Sequence, residues 1–113
     1  MKKDISIPGE TLQLYEKLIV TNKKVERKGA TMPYTSCKGH MFSFLSKDGS
    51  VNLRLPAEDL QAFIKKYKTT QSFQNGVVMK EYAVVPRALL KKTAELKKYF
   101  DVSYKYVQSL KPK

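Results

Sequence analysis

Cysteine, histidine and acidic residues are what this 113-residue sequence has least of: one Cys, one His, and ten Asp+Glu against 22 Lys+Arg. Cys37 has no second cysteine to pair with, so no intrachain disulfide is expected. That suits a reducing compartment, and a cytoplasmic protein is expected. Cys37 and His40 form the only soft-ligand pair. Structural zinc takes four ligands and catalytic zinc three from the protein, so no metal is expected. The same pair has the composition of a nucleophile and its base. No carboxylate is placed to orient the histidine, so an enzyme using Cys37 and His40 is the weakest of the readings. No apolar run approaches the roughly 20 residues that span a bilayer, and no membrane partner is expected. The start, MKKDISIPGETLQL, is interrupted by Asp4, Pro8, Gly9 and Glu10, so no signal-peptide core is expected. Neither G-x-G-x-x-G nor a P-loop pattern occurs, which leaves no phosphate-cradling loop and no cofactor to expect. Five glycines and five prolines are too few for collagen or low-complexity disorder.

What is present is positive charge, a formal +12. It is almost entirely lysine, 19 residues against Arg27, Arg54 and Arg87. Arginine forks read bases and phosphates bidentately, whereas a lysine is a point charge. The excess therefore argues against sequence-specific recognition. Its densest stretch is Arg87, Lys91, Lys92, Lys97, Lys98 and Lys105, with only Glu95 and Asp101 against it. These six residues are the candidate binding face. Its plainer reading is a solvated helix surface. Several tyrosines alternate with lysines, as in Lys80-Glu81-Tyr82 and Tyr104-Lys105-Tyr106. Aromatic platforms beside cations suit unpaired bases. Tyr67 and Tyr99 fall on apolar stripes and belong to the core, leaving Tyr34, Tyr82 and one of Tyr104 and Tyr106 as candidate platforms.

Apolar spacing sets the elements. A first helix is predicted after Pro8 as far as Lys24, with Leu12, Tyr15 and Ile19 on one arc and Ser6 as its cap. Residues 30–36 read as a strand. Pro33 makes it an edge or bulged strand, because proline cannot donate to a ladder. Lys38-Gly39 is a turn. Residues 40–46 read as a strand with Phe42 and Phe44 on one face and Met41 and Leu45 on the other. Asp48-Gly49 reads as a type I′ hairpin turn. In the strand 51–55, Val51, Leu53 and Leu55 point inward and Asn52 and Arg54 outward. Pro56 opens a second helix with the stripe Leu60, Phe63, Ile64 and Tyr67. A short strand around Phe73 ends at Asn75-Gly76, and residues 77–85 form another strand. Pro86 starts a helical turn. Thr93 caps a last helix with Leu96, Tyr99, Phe100, Ser103, Val107 and Leu110 on its inner face. Residues 1–113 are then one α+β domain. It is a two-layer sandwich on a mostly antiparallel sheet of about five strands, in the order α-β-β-β-α-β-β-α.

Several of these segments resemble the N-terminal domain of the TfoX/Sxy competence-regulator family. They are Gly39-His40-Met41-Phe42-Ser43-Phe44-Leu45, Asp48-Gly49, Leu53-Arg54-Leu55, Ala62-Phe63, Met79-Lys80-Glu81-Tyr82, and Val85-Pro86 with Leu89-Leu90. The run Lys28-Gly29-Ala30-Thr31-Met32-Pro33-Tyr34 stands where that family has a glycine-rich start. The close, Val102 to Val107, is also similar to YjbR/MmcQ-like proteins. The resemblance implies a secretion-chaperone-like fold and a regulatory rather than catalytic role, and it carries over no catalytic residue. TfoX proteins usually have a second, C-terminal domain, which these 113 residues do not include. The leading expectation is a stand-alone, non-enzymatic binding or regulatory module, monomer or homodimer, engaging a protein or nucleic acid. The alternative is a non-sequence-specific nucleic-acid-binding protein. Nothing in the residues specifies a particular activity.

Overall fold

Proline and glycine punctuate the chain where the sequence places its boundaries. The computed structural model describes residues 9–29, 33–46, 49–74 and 76–112. Its elements are α1 (Gly9–Ile19), β1 (Tyr34–Cys37), β2 (His40–Leu45), β3 (Val51–Arg54), α2 (Ala57–Tyr67), β4 (Gln71–Gln74), β5 (Val77–Val85), α3 (Arg87–Leu90) and α4 (Thr93–Gln108). The five strands form one antiparallel sheet in the spatial order β1-β2-β3-β5-β4. The α+β class and element order predicted from the sequence are those observed, with α3 as the extra helical turn before α4. Pro56 and Pro86 stand as N-caps of α2 and α3. Ser6 and Pro8 lie outside the described residues, as do Ala30 to Met32, Lys47, Asp48 and Asn75.

Turn chemistry explains the tight connections. Lys38 and Gly39 both have positive φ, 57° and 83°, as a two-residue type I′ hairpin demands. Asp48 of the predicted β2–β3 turn lies outside the described residues. Gly49 N–H donates to the Ser46 carbonyl, Ser46 N–H donates to the Ser50 carbonyl, and Gly49 has φ +85°. Gly49 thus sits in the left-handed region that glycine adopts without strain. Lys68 ends α2 at φ 53° and ψ 45°, and its N–H donates to the Ile64 carbonyl. A side chain with a Cβ is strained there and glycine is not. Lys68→Gly is therefore expected to raise stability by about 1 kcal/mol, read as a higher urea midpoint at unchanged slope.

The sheet departs from simple alternation at one point, and the core depends on it. Between β1 and β2 the register runs Thr35↔Ser43 and then Ser36↔Met41, so Phe42 is an extra residue. Such a bulge turns consecutive side chains toward the same side. Phe42 and Ser43 are both fully buried. Phe42 packs against Phe100 and Tyr104 of α4, with ring centroids 5.5 and 5.8 Å away. Ser43 bonds the Tyr15 hydroxyl of α1 at 2.6 Å and Thr35 at 2.5 Å. Phe44 lies against Tyr82, 5.4 Å between centroids. The predicted pairing of Phe42 with Phe44 on one face is thus corrected: Phe42 joins Leu45 and the helices.

Those helices share one face of the sheet. Tyr15, Leu18 and Ile19 of α1, Leu60 and Phe63 of α2, Leu89 and Leu90 of α3, and Leu96, Phe100 and Val107 of α4 form one core with Leu45, Val51, Leu53, Leu55, Ala83 and Val85. Asn52 pairs with Phe44, off the face that carries Val51 and Leu53, yet it is 0% exposed; its Nδ2 donates to the Ser50 carbonyl at 3.0 Å. Two expectations fail locally. The N-cap of α4 is Lys92 rather than Thr93 and makes no side-chain cap bond. α1 also stops five residues before Lys24, where Thr21 Oγ1 donates back to the Leu18 carbonyl at 2.6 Å and competes with the next helical turn.

Candidate functional site

The early end of α1 creates a strongly charged concavity. After Ile19 the chain turns rather than continuing as helix, and Asn22 Oδ1 accepts the Lys24 N–H at 3.0 Å. Asn22 Nδ2 then donates to Asp101 Oδ1 of α4 at 3.3 Å. Asp101 Oδ2 accepts from Lys97 Nζ at 2.6 Å. One carboxylate thus pins the α1 turn to α4 and is neutralised by an i,i+4 lysine. An open groove of about 370 Å³ results, with Lys23 and Lys24 on one wall and Lys97, Asp101, Tyr104 and Lys105 on the other. Four ammonium groups face one carboxylate. With Asp101 held by Lys97, no ion-pair partner within reach of Lys23, Lys24 or Lys105 appears among the described residues. Clustered cations of this kind raise the local positive potential and attract anions.

The six residues of the candidate face do not form one surface. Lys97 and Lys105 line the groove. Arg87 pairs with Glu10 of α1 and reaches Thr11 at 3.4 Å. Lys91 and Lys92 are exposed where α3 passes into α4. Lys98 lines a separate cleft of about 400 Å³ between α2 and α4, with Lys66, Tyr67, Glu95 and Tyr99. The Tyr67 hydroxyl donates to Glu95 there. That bond holds the Glu95 carboxyl below its ordinary pKa, with help from Lys92, Lys66 and Lys98. The cleft thus sets two lysines against one carboxylate, where the α1–α4 groove sets four against one. Sequence reasoning missed Lys23 and Lys24. Reading α1 through to Lys24 placed them on a helix; the signal for the turn was Thr21-Asn22, two residues whose side chains bond their own backbone.

Of the four candidate platforms, Tyr34 is half-buried on β1, and the other three are engaged in contacts of their own. Tyr82 is 9% exposed and its hydroxyl donates to the Met41 carbonyl at 2.5 Å. Tyr104 stacks edge-on against Phe42. Tyr106 donates to Glu81 Oε2 at 2.5 Å, and the Arg54 guanidinium lies 5.5 Å from its ring centroid. Burial pushes the Glu81 carboxyl up, but the Tyr106 hydroxyl and the Arg54 guanidinium outweigh it and hold its pKa below the ordinary value. A carboxyl with a depressed folded pKa contributes stability above its unfolded pKa and loses it as pH falls through the folded one. Glu81 is thus expected to titrate below the usual glutamate range, near about 4.3, in an NMR pH titration. Tyr106→Phe is expected to move that midpoint upward.

Cys37 and His40 face one another as paired residues of the β1–β2 hairpin. His40 Nε2–H donates to the Lys111 carbonyl at 2.7 Å, and Lys38 Nζ donates to the Gln108 carbonyl at 2.7 Å. The hairpin thus satisfies carbonyls at and beyond the end of α4, which a helix terminus otherwise leaves open. Cys37 packs half-buried against the core. Among the described residues no three His, Cys, Asp or Glu converge as a metal-binding group, and no helix is long and apolar enough to cross a membrane.

Comparison of the chain with family models, with curated proteins and with solved structures finds no match.

Proposed function

We propose that this protein is a non-enzymatic binding module that holds the phosphate backbone of nucleic acid, without reading its sequence, in the groove between the α1 turn and α4. The observation that carries the proposal is the set Lys23, Lys24 and Lys105, three ammonium groups around one groove with no ion-pair partner among the described residues. Lysines neutralise phosphates and release counterions, which gives affinity without base readout. Of the candidate platforms for stacking on unpaired bases, Tyr82, Tyr104 and Tyr106 are engaged in the protein's own contacts, and Tyr34 does not line the groove. A duplex backbone suits the groove better than a single strand. A regulatory role of the kind implied by the TfoX resemblance belongs to the same proposal, since such a role needs binding and no chemistry.

The test is fluorescence anisotropy of a generic DNA duplex and a generic RNA duplex over a range of salt. With Lys23, Lys24 and Lys105 as the phosphate contacts, log K against log salt is expected to have a slope of about −2.7 for B-DNA. Affinity should fall roughly 40-fold between about 50 and 200 mM salt. Affinity independent of salt, or no binding at low salt, contradicts the proposal.

A further inference from the structure

The two edges of the sheet are finished differently. The outer side of β1 is covered: Lys28 and Tyr34 exchange backbone hydrogen bonds, N–H to carbonyl in both directions, at 2.8 and 2.9 Å. Pro33 precedes that strand and Lys38 follows it. Proline, lysine and a covering segment are the usual means of keeping a sheet edge from pairing with another chain. β4, at the other end, has no proline, no lysine and no covering strand among the described residues; its one irregularity is the register shift on β5 between Gln71 and Ser72. No further strand pairs with its outer side among the described residues.

The β4–β5 hairpin is also unlike the rest of the surface in charge. The eleven residues from Thr69 to Met79 include no Asp, Glu, Lys or Arg and form the longest uncharged stretch in a chain of net charge +12. Within it Phe73, Val77 and Val78 are 62%, 60% and 48% exposed. Phe73 and Val78 are cross-strand partners and so share one face, with Val77 on the other. An exposed, uncharged strand edge carrying apolar side chains is poised for strand addition.

We infer that β4 pairs with β4 of a second copy, antiparallel about a two-fold axis, joining two sheets into one of ten strands. Charge selects the occupant. Two molecules of net charge +12 repel at any lysine-bearing surface, and the hairpin is where they can touch without opposing like charges. An acidic partner would be drawn to the lysine groove instead. A two-fold antiparallel pair sets the same strand against itself, which a charged edge forbids and Gln71-Ser72-Phe73-Gln74 allows. The lysine groove is remote from this edge. Its α4 wall packs on β1, β2 and β3, while α2 packs on β5. Strand spacing of about 4.8 Å puts β1 roughly 19 Å from β4, beyond the Debye length of about 8 Å at physiological salt. The contact is small, so the dimer is weak, in the class of interfaces below about 1,200 Å².

Sedimentation equilibrium from about 10 µM to 1 mM decides the matter, those concentrations bracketing weak association. The mass is expected to rise from 13.0 kDa toward twice that value. Raising salt is expected to strengthen association, because screening removes the repulsion between the two copies; nucleic-acid binding changes in the opposite direction. Phe73→Lys is expected to stay at 13.0 kDa throughout with an unchanged thermal melt, because its side chain is largely exposed. Val77→Lys, also on the exposed hairpin, should behave likewise and serves if the first variant folds poorly. A wild-type mass that stays at 13.0 kDa at about 1 mM overturns the inference. So does a folded Phe73→Lys or Val77→Lys protein that dimerises as the wild type does. The proposed phosphate binding stands or falls separately on its own salt dependence.

Discussion

Phe42→Ala is expected to cost about 3–5 kcal/mol, and Phe44→Ala about 1–2 kcal/mol. Phe42 is fully buried between Phe100 and Tyr104. Its backbone carbonyl also accepts the Ser103 hydroxyl of α4 at 3.3 Å. Truncating the ring leaves a cavity at the junction of β2 and α4 that the backbone bond keeps from closing. Phe44 is only half-buried and touches Tyr82 from the side, so its removal forfeits an edge contact and part of its burial. Against a total stability of roughly 5–15 kcal/mol, the first substitution threatens folding and the second does not. Urea midpoints of the two variants check this. Equal costs would mean that β2 alternates regularly, with both rings on one face, and would remove the bulge from the account.

That bulge marks the limit of what the sequence makes legible. Element order follows from local signals. Pro56 and Pro86 stand directly before helices, Lys38-Gly39 closes a hairpin, and Leu60, Phe63 and Tyr67 repeat at helical spacing. Those signals act within a few residues, and the α+β order could be read from them. Phe42 is different. HMFSFL alternates well enough to pass as regular, and only the offset between Thr35↔Ser43 and Ser36↔Met41 makes Phe42 the extra residue. Asn52 is similar: alternation places it outward, yet it is inaccessible. Thr93 resembles a cap but sits one residue inside the helix. The groove was half legible. Lys97 and Lys105 share a helix, so spacing finds them. Lys23 and Lys24 come to them only through the bond from Asn22 to Asp101, across 79 positions of sequence.

Substituting alanine for Lys23, Lys24 and Lys105 together is expected to weaken duplex binding on the order of 10²–10³-fold near 0.1 M salt. Each lost phosphate contact shrinks the salt slope by about 0.9, so a slope of about −2.7 should flatten toward zero. These residues sit on the surface and make no ion pair among the described residues, so stability should stay within about 0.5 kcal/mol of the wild type. Lys97 is left in place because its removal would expose the Asp101 carboxylate to the ligand.

A chain of net charge +12 attracts polyanions to some extent wherever its lysines lie, so position has to be separated from total charge. The most direct measurement compares the groove triple variant with a second triple variant, Lys65, Lys80 and Lys91 to alanine. The second set is equally exposed and lies outside the groove. Both variants have the same net charge. The groove variant is expected to lose duplex affinity and most of its salt slope, while the other keeps both close to wild type. Equal losses in the two variants would contradict the account, because the lysines would then act as a diffuse coat rather than a site.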